Sequence, residues 1–188
     1  LSAFHQMFPQ VTLHLVEKSG TAGLVRELYD GTVDLFIGYQ PEDTGDLAVV
    51  PLFEEQFVVL VPNRMLKEYF GGSGRPEAGK GPVLLEYFSR LPFVAQNPGT
   101  MGGEVFQSIC RGAGIQPQVV VSTQNLITEV SLCMEGLGAC VVPLTFLSPD
   151  RRLSDYGSTP LFSEEGLNRL TVFPLDSGQV GTFQISVC

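Results

Sequence analysis

Leu91-Pro92-Phe93-Val94-Ala95, then Asn97-Pro98-Gly99-Thr100, then Met101, Val105, Phe106, Ile109 and Cys110: this stretch decides the fold. The first part is an apolar run of strand length. The second is a turn rich in helix-start chemistry. The third lays apolar residues along one helical face, and Gly112 and Gly114 stop the helix. Strand, turn and helix follow one another without a break, which is the unit of an α/β fold.

The unit recurs on both sides. Downstream, Gln118 to Ser122 is a β-branched strand. Leu126, Ile127, Val130, Cys133 and Met134 form a helical stripe ended by Gly136, and Ala139-Cys140-Val141-Val142-Pro143 is the next buried strand. Upstream, Val11, Leu13 and Leu15 alternate with Thr12 and His14 at strand period. Ser19-Gly20-Thr21 breaks that pattern and opens a helix carrying Leu24, Val25, Leu28 and Tyr29, closed by Gly31. Val33-Asp34-Leu35-Phe36-Ile37 has the composition of a strand buried on both faces. The connection between these two strands is too long for a hairpin, so they are expected to be parallel.

Phe57-Val58-Val59-Leu60-Val61 is a further buried strand and the expected first crossing between subdomains. The tail from Leu170 to Cys188 carries two apolar runs around Asp176-Ser177-Gly178, one of which is expected to cross back. The expected class is α/β, with two Rossmann-like subdomains of mainly parallel sheet joined by two crossover strands. Subdomain I takes residues 1–62 plus about 177–188, and subdomain II takes 63–176. The glycine-rich run from Gly71 to Pro82 reads as an inserted surface loop. Two small lobes then share a cleft, where ligands of such sheets bind.

Composition narrows the function. The chain has 188 residues, enough to bury roughly 70% of the surface its unfolded form exposes. Eleven basic against 20 acidic residues leave a net charge of −9, which argues against a nucleic-acid or anionic-membrane grip by this piece. With 44% hydrophobic and 16% charged residues it is no disordered tail. No apolar run reaches the ~20 residues of a membrane span, and no signal peptide is visible. Cys110, Cys133, Cys140 and Cys188 sit at irregular spacings and read as reduced thiols in a cytoplasmic protein.

Catalytic motifs are wanting. Gly74 to Gly81 spells most of a phosphate-binding loop, but no Ser or Thr follows Lys80 and no strand leads into it. There is no nucleophile elbow, and the two histidines, His5 and His14, read as surface or interface residues. Asp30 and Asp34 flank Gly31 but belong to different elements. No metal-ligand pattern occurs, so no cofactor, metal or enzymatic activity is expected.

Two places have ligand-binding chemistry. Ser19-Gly20-Thr21 and Asn97-Pro98-Gly99-Thr100 each put hydroxyls and backbone N–H groups at a helix start, where the dipole favours an anion. Ordinary helix capping uses the same residues, and both readings stand for either motif alone. Their pairing on opposing lobes favours a bound carboxylate, with Asn97 as donor and acceptor.

In combination these residues resemble the effector-binding domain of LysR-type transcriptional regulators. The resemblance rests on Phe8-Pro9, Val11, Leu13 to Glu17, Thr21, Leu24, Leu28, Gly31, Asp34-Leu35, Pro51-Leu52 and Val58 to Pro62. It continues through Pro92-Phe93-Val94, Cys110, Ala113-Gly114, Pro117, Glu135-Gly136, Gly138 and Val142-Pro143, and so covers about residues 1–143. It implies a two-lobed fold like the type 2 periplasmic solute-binding proteins, with a small effector in the cleft. It implies a homodimer or tetramer, packed through the first helix and a lobe-two helix, and DNA contact only through a winged helix-turn-helix domain outside this chain. Thr21 corresponds to a pocket hydroxyl, Asn97 to Thr100 to the lobe-two effector loop, and Tyr39 to a cleft wall. The family's first strand and the hydroxyl loop after it would precede Leu1. Its peroxide-sensing branch has a reactive cysteine pair. Cys110 resembles the downstream member, while the upstream position falls near Met101, so no partner thiol stands there and redox sensing is not expected. The expected function is ligand sensing and oligomerisation in a bacterial regulator, and the alternative is a periplasmic solute-binding protein of a transporter.

Overall fold

A computed structural model of the chain describes residues 1–41, 43–71, 80–147, 168–180 and 183–188. In chain order they form α1 (Ser2–Met7), α2 (Thr21–Tyr29), β1 (Ile37–Tyr39), β2 (Val50–Glu55), β3 (Phe57–Pro62), α3 (Asn63–Phe70) and β4 (Pro92–Gln96). Then come α4 (Met101–Gly112), β5 (Gln118–Thr123), α5 (Leu126–Met134), β6 (Cys140–Pro143), β7 (Leu170–Pro174), α6 (Ser177–Val180) and β8 (Phe183–Val187).

β3 organises the core. Every one of its residues is buried, and its two faces feed two clusters. Val59 and Val61 pack with Phe93, Phe106, Ile109 and Phe173, while Val58 and Leu60 pack with Val130, Cys133, Cys140 and Val142. The period of 2 in a strand assigns alternate residues to opposite faces. Helix α4 contributes Phe106 and Ile109 to the first cluster, and α5 contributes Val130 and Cys133 to the second. Each fully buried side chain of this size stabilises by about 1.5–3 kcal/mol.

The strands group as β1-β8-β2, β6-β3-β7 and β4-β5, and a parallel bridge from Phe93 to Ala139 joins the last two groups. The α/β class holds, but mainly parallel sheets need correcting. β8 runs antiparallel to both neighbours, and so does β3. β1 and β2 therefore run the same way, as do β6 and β7, and β4 is parallel to β5. Every antiparallel ladder among the described residues involves β3 or β8. β3 follows β2 through Gln56 alone, so the chain passes directly from one sheet to the other with no helix between.

Other expectations shift in detail. Residues 11–18 form no described strand, and Leu15 is 74% exposed. No described strand lies alongside to pair with them, so period-2 alternation has nothing to pack against. The run Val33 to Ile37 becomes a strand only at Ile37–Tyr39, buried on one face, since Leu35 and Ile37 are exposed. Strand β2 and helix α3, whose Met65 and Leu66 are buried, lie outside the sequence reading. Helix α2 ends at Gly31, whose φ of +70° is left-handed backbone that glycine adopts without strain. Most of the glycine-rich loop, residues 72–79, lies outside the described residues. Among the described residues no helix is long and apolar enough to cross a membrane.

Candidate functional site

Ser19 and Gly20 lead into α2, a helix of nine residues with Gly20 at its N-cap. No side chain caps this end. Gly23 and Leu24 donate backbone bonds to the Gly20 carbonyl at 3.2 and 3.4 Å. Ser19 is exposed, while Gly20 and Thr21 are half-buried. Beside the turn, Lys18 pairs with Glu27 at 2.7 Å, and that contact lowers the Glu27 pKa.

Asn97 extends the β4–β5 ladder by donating to the Thr123 carbonyl at 2.7 Å. The chain then turns through Pro98 and Gly99, both exposed, and Gly99 takes φ +83°. Thr100 is 7% exposed and is the N-cap of α4, twelve residues long. Its hydroxyl accepts from the Gly103 N–H at 3.1 Å and donates to the Asn97 carbonyl at 2.8 Å. The capping chemistry read from the sequence is thus made by this hydroxyl. Gly103 packs on the Asn97 backbone so closely that a Cβ would lie 2.1 Å from the Asn97 oxygen.

The two turns meet. The Met101 N–H donates to the Ser19 carbonyl. A Cβ on Gly20 would lie 2.7 Å from the Gly99 carbonyl oxygen and 3.6 Å from Glu104 Oε1. A Cβ on Gly38 would lie 3.5 Å from the Met101 methyl and 3.6 Å from Leu24 Cδ1. The Met101 side chain therefore reaches from the start of α4 to Gly38 of β1. The starts of α2 and α4 lie at this seam, with the positive end of each helix dipole there. Glu104, exposed in the first turn of α4, is the acidic group beside them.

Tyr39, the residue after Gly38 in β1, belongs to an aromatic cluster. Its ring packs on Phe57 and Phe183 at centroid distances of 6.4 and 5.7 Å. Burial, with the Glu55 charge adding to it, raises its phenol pKa. Behind the second turn, Gln96 Nε2 donates to Glu129 Oε2 at 2.9 Å. Glu129 is 1% exposed, and burial pushes its carboxyl up to about 8, against the Gln96 bond. Burial likewise pushes the Cys110 thiol up to about 12. Among the described residues no group of three His, Cys, Asp or Glu is placed to hold a metal ion.

The structure thus brings the turn at Ser19–Thr21 against the turn at Asn97–Thr100 through Gly20 and Gly99 and the Met101–Ser19 bond, and leaves Tyr39 in the aromatic cluster. Sequence reasoning missed Met101, Gly38 and the Gln96–Glu129 pair. Glu129 was findable: it sits one residue from Val130 and four from Cys133, inside an apolar helical stripe. Met101 was read only on a helix face and near the family's upstream cysteine position, and neither signals a contact with the first turn.

A "Probable hydrogen peroxide-inducible genes activator" of Mycobacterium leprae is 27% identical over 144 residues, 76% of this chain and 43% of that protein. The chain thus spans less than half the length of that relative. The C-terminal domain of a probable LysR family transcriptional regulator from Rhodococcus sp. RHA1 superposes with a TM-score of 0.71 at 24% identity, covering 99% of this chain and 79% of that one. The CcmR regulatory domain of Synechocystis PCC6803, solved in complex with 2-PG, gives 0.70 at 17% identity, covering 99% and 77%. The family model described as LysR substrate binding domain matches residues 1–160. With that match over most of its length and the fold in common, the chain belongs to the LysR substrate binding domain family, the effector-binding part of LysR-type transcriptional regulators.

Proposed function

We propose that the facing turns Ser19–Thr21 and Asn97–Thr100 form the effector site of a cytoplasmic transcriptional regulator, and that the effector is a small anion, most simply a carboxylate. The reading divides the chain into one lobe of residues 1–62 plus about 177–188 and another of 63–176. The observation that carries it is the direct approach of the turns, with Met101 bonded to Ser19 and Gly20 against Gly99. Two helix starts converging on one seam set two positive dipole ends beside one ligand. A ligand there competes with the Gly20–Gly99 contact, so it favours one lobe arrangement over another by its differential affinity. That bias is passed to paired subunits and to DNA-binding heads elsewhere in the protein, with a coupling of ~1–3 kcal/mol. The CcmR domain solved with 2-PG supports a small-molecule effector. The relatives are regulators, so the transporter reading is not favoured.

Calorimetry against a panel of small carboxylates tests the site. Thr21→Ala removes a hydroxyl that caps nothing, and should weaken binding by about fivefold, the worth of one ordinary hydrogen bond. Glu104→Gln removes the acidic group beside the seam and should tighten binding of an anion by a similar factor. If both variants bind a confirmed carboxylate as the parent does, the turns are not its site. Thr100→Val is the poorer probe, because losing the cap costs α4 about 1 kcal/mol by itself.

A further inference from the structure

A groove of about 480 Å3 runs between α4 and β5, on residues 95–122 alone, and shares Pro98 with the turns at the seam. Its volume lies in the range of small-molecule sites. Phe106, Ile115 and Val119 wall it, and Val119 remains 41% exposed on an edge strand. Arg111 and Gln116 stand at its rim, and no acidic residue lines it. The Arg111 guanidinium has no ion-pair or hydrogen-bond partner among the described residues, although the chain carries 20 acidic residues against 11 basic ones. The upper end of the groove reaches Pro98, in the turn that leads to α4.

We propose that this groove is a second ligand site, taking an aromatic or alicyclic carboxylate whose ring lies against Phe106, Ile115 and Val119 while its carboxylate meets Arg111. The guanidinium fork matches a carboxylate in two parallel hydrogen bonds, and the ring replaces water over exposed apolar surface. Because Pro98 belongs both to the groove and to the turn at the seam, occupancy here changes how firmly that turn is held. Any resulting coupling between the two places is reciprocal. The proposal goes beyond the effector reading and stands without it.

The test is a titration of the full chain with 2-naphthoate, followed by amide chemical shifts, alongside 2-naphthamide. The expected result is saturating shifts at Phe106, Ile115 and Val119 at roughly millimolar ligand. Arg111→Gln should weaken 2-naphthoate by roughly fivefold, as an exposed ion pair does, and leave 2-naphthamide unchanged. The exposed Arg111 side chain makes this variant safe for folding. No saturation, shifts confined to Gly20 and Met101, or equal affinity of 2-naphthoate for parent and variant would each overturn the proposal; the second would place the carboxylate at the seam instead, while the first and third leave the reading of small carboxylates at the seam untouched.

Discussion

Glu129 is buried, with Gln96 as its one hydrogen-bond partner among the described residues, and that burial sets its titration. Burial penalises the charged form, so the carboxyl rises from its ordinary 4.5 to about 8. The neighbouring Cys140 thiol is raised by burial too, so it brings no charge to the site near neutral pH. A folded-state pKa above the unfolded one means that the native chain holds a proton the unfolded chain has released. The resulting stability is complete below about 4.5 and is lost as pH rises toward 8, on the order of a few kcal/mol in all. Unfolding by urea at pH 5 and at pH 8 should show this fall in the parent, and Glu129→Gln should flatten it. An unchanged slope in the variant would assign the pH dependence elsewhere. Residue identity was legible here, but a carboxylate's partner depends on which strand passes behind the helix, and that is a tertiary fact. Thr100 teaches the same lesson: helix-start chemistry was readable, whereas its hydroxyl being engaged by Gly103 and Asn97 was not.

Elements were legible where burial was two-sided. Phe57 to Val61, Pro92 to Ala95 and Ala139 to Pro143 read as strands because continuous apolar runs of that length fit little else, and β3, β4 and β6 lie there. Alternation alone misled at Val11 to Leu15, since a strand exists only where a neighbour completes its ladder. Helix α3 escaped because its apolar residues, Met65, Leu66 and Phe70, are few and flanked by charges. The contrast predicts unequal costs. Leu60 is fully buried in the central strand of its group, so Leu60→Ala should cost about 2–5 kcal/mol in denaturant unfolding. Val120 is 45% exposed on edge strand β5, so Val120→Ala should cost under about 1 kcal/mol. Equal costs would mean that β3 is not the centre of the core.

At the scale of the whole molecule, fold class was readable from the alternation of strands and helices, but the contact between distant turns was not, because 79 positions of chain separate Gly20 from Gly99 and only the folded sheets bring them together. That contact makes the molecule testable as a two-state device. Gly20 has φ −145° and ψ 155°, extended backbone open to any residue, so Gly20→Ala leaves the local chain unstrained. Its methyl would nevertheless lie 2.7 Å from the Gly99 oxygen, which is backbone and cannot swing aside as a side chain would. The turns must part, and the Met101 N–H then loses the Ser19 carbonyl. Hydrogen exchange at the Met101 amide should accelerate by about tenfold or more in Gly20→Ala, while the amide of Val59, deep in β3, keeps its protection. Unchanged protection at Met101 would mean that the seam yields elsewhere and that its closure does not depend on this glycine. Faster exchange at both amides would point to global loosening, and the turns would then be no separate hinge.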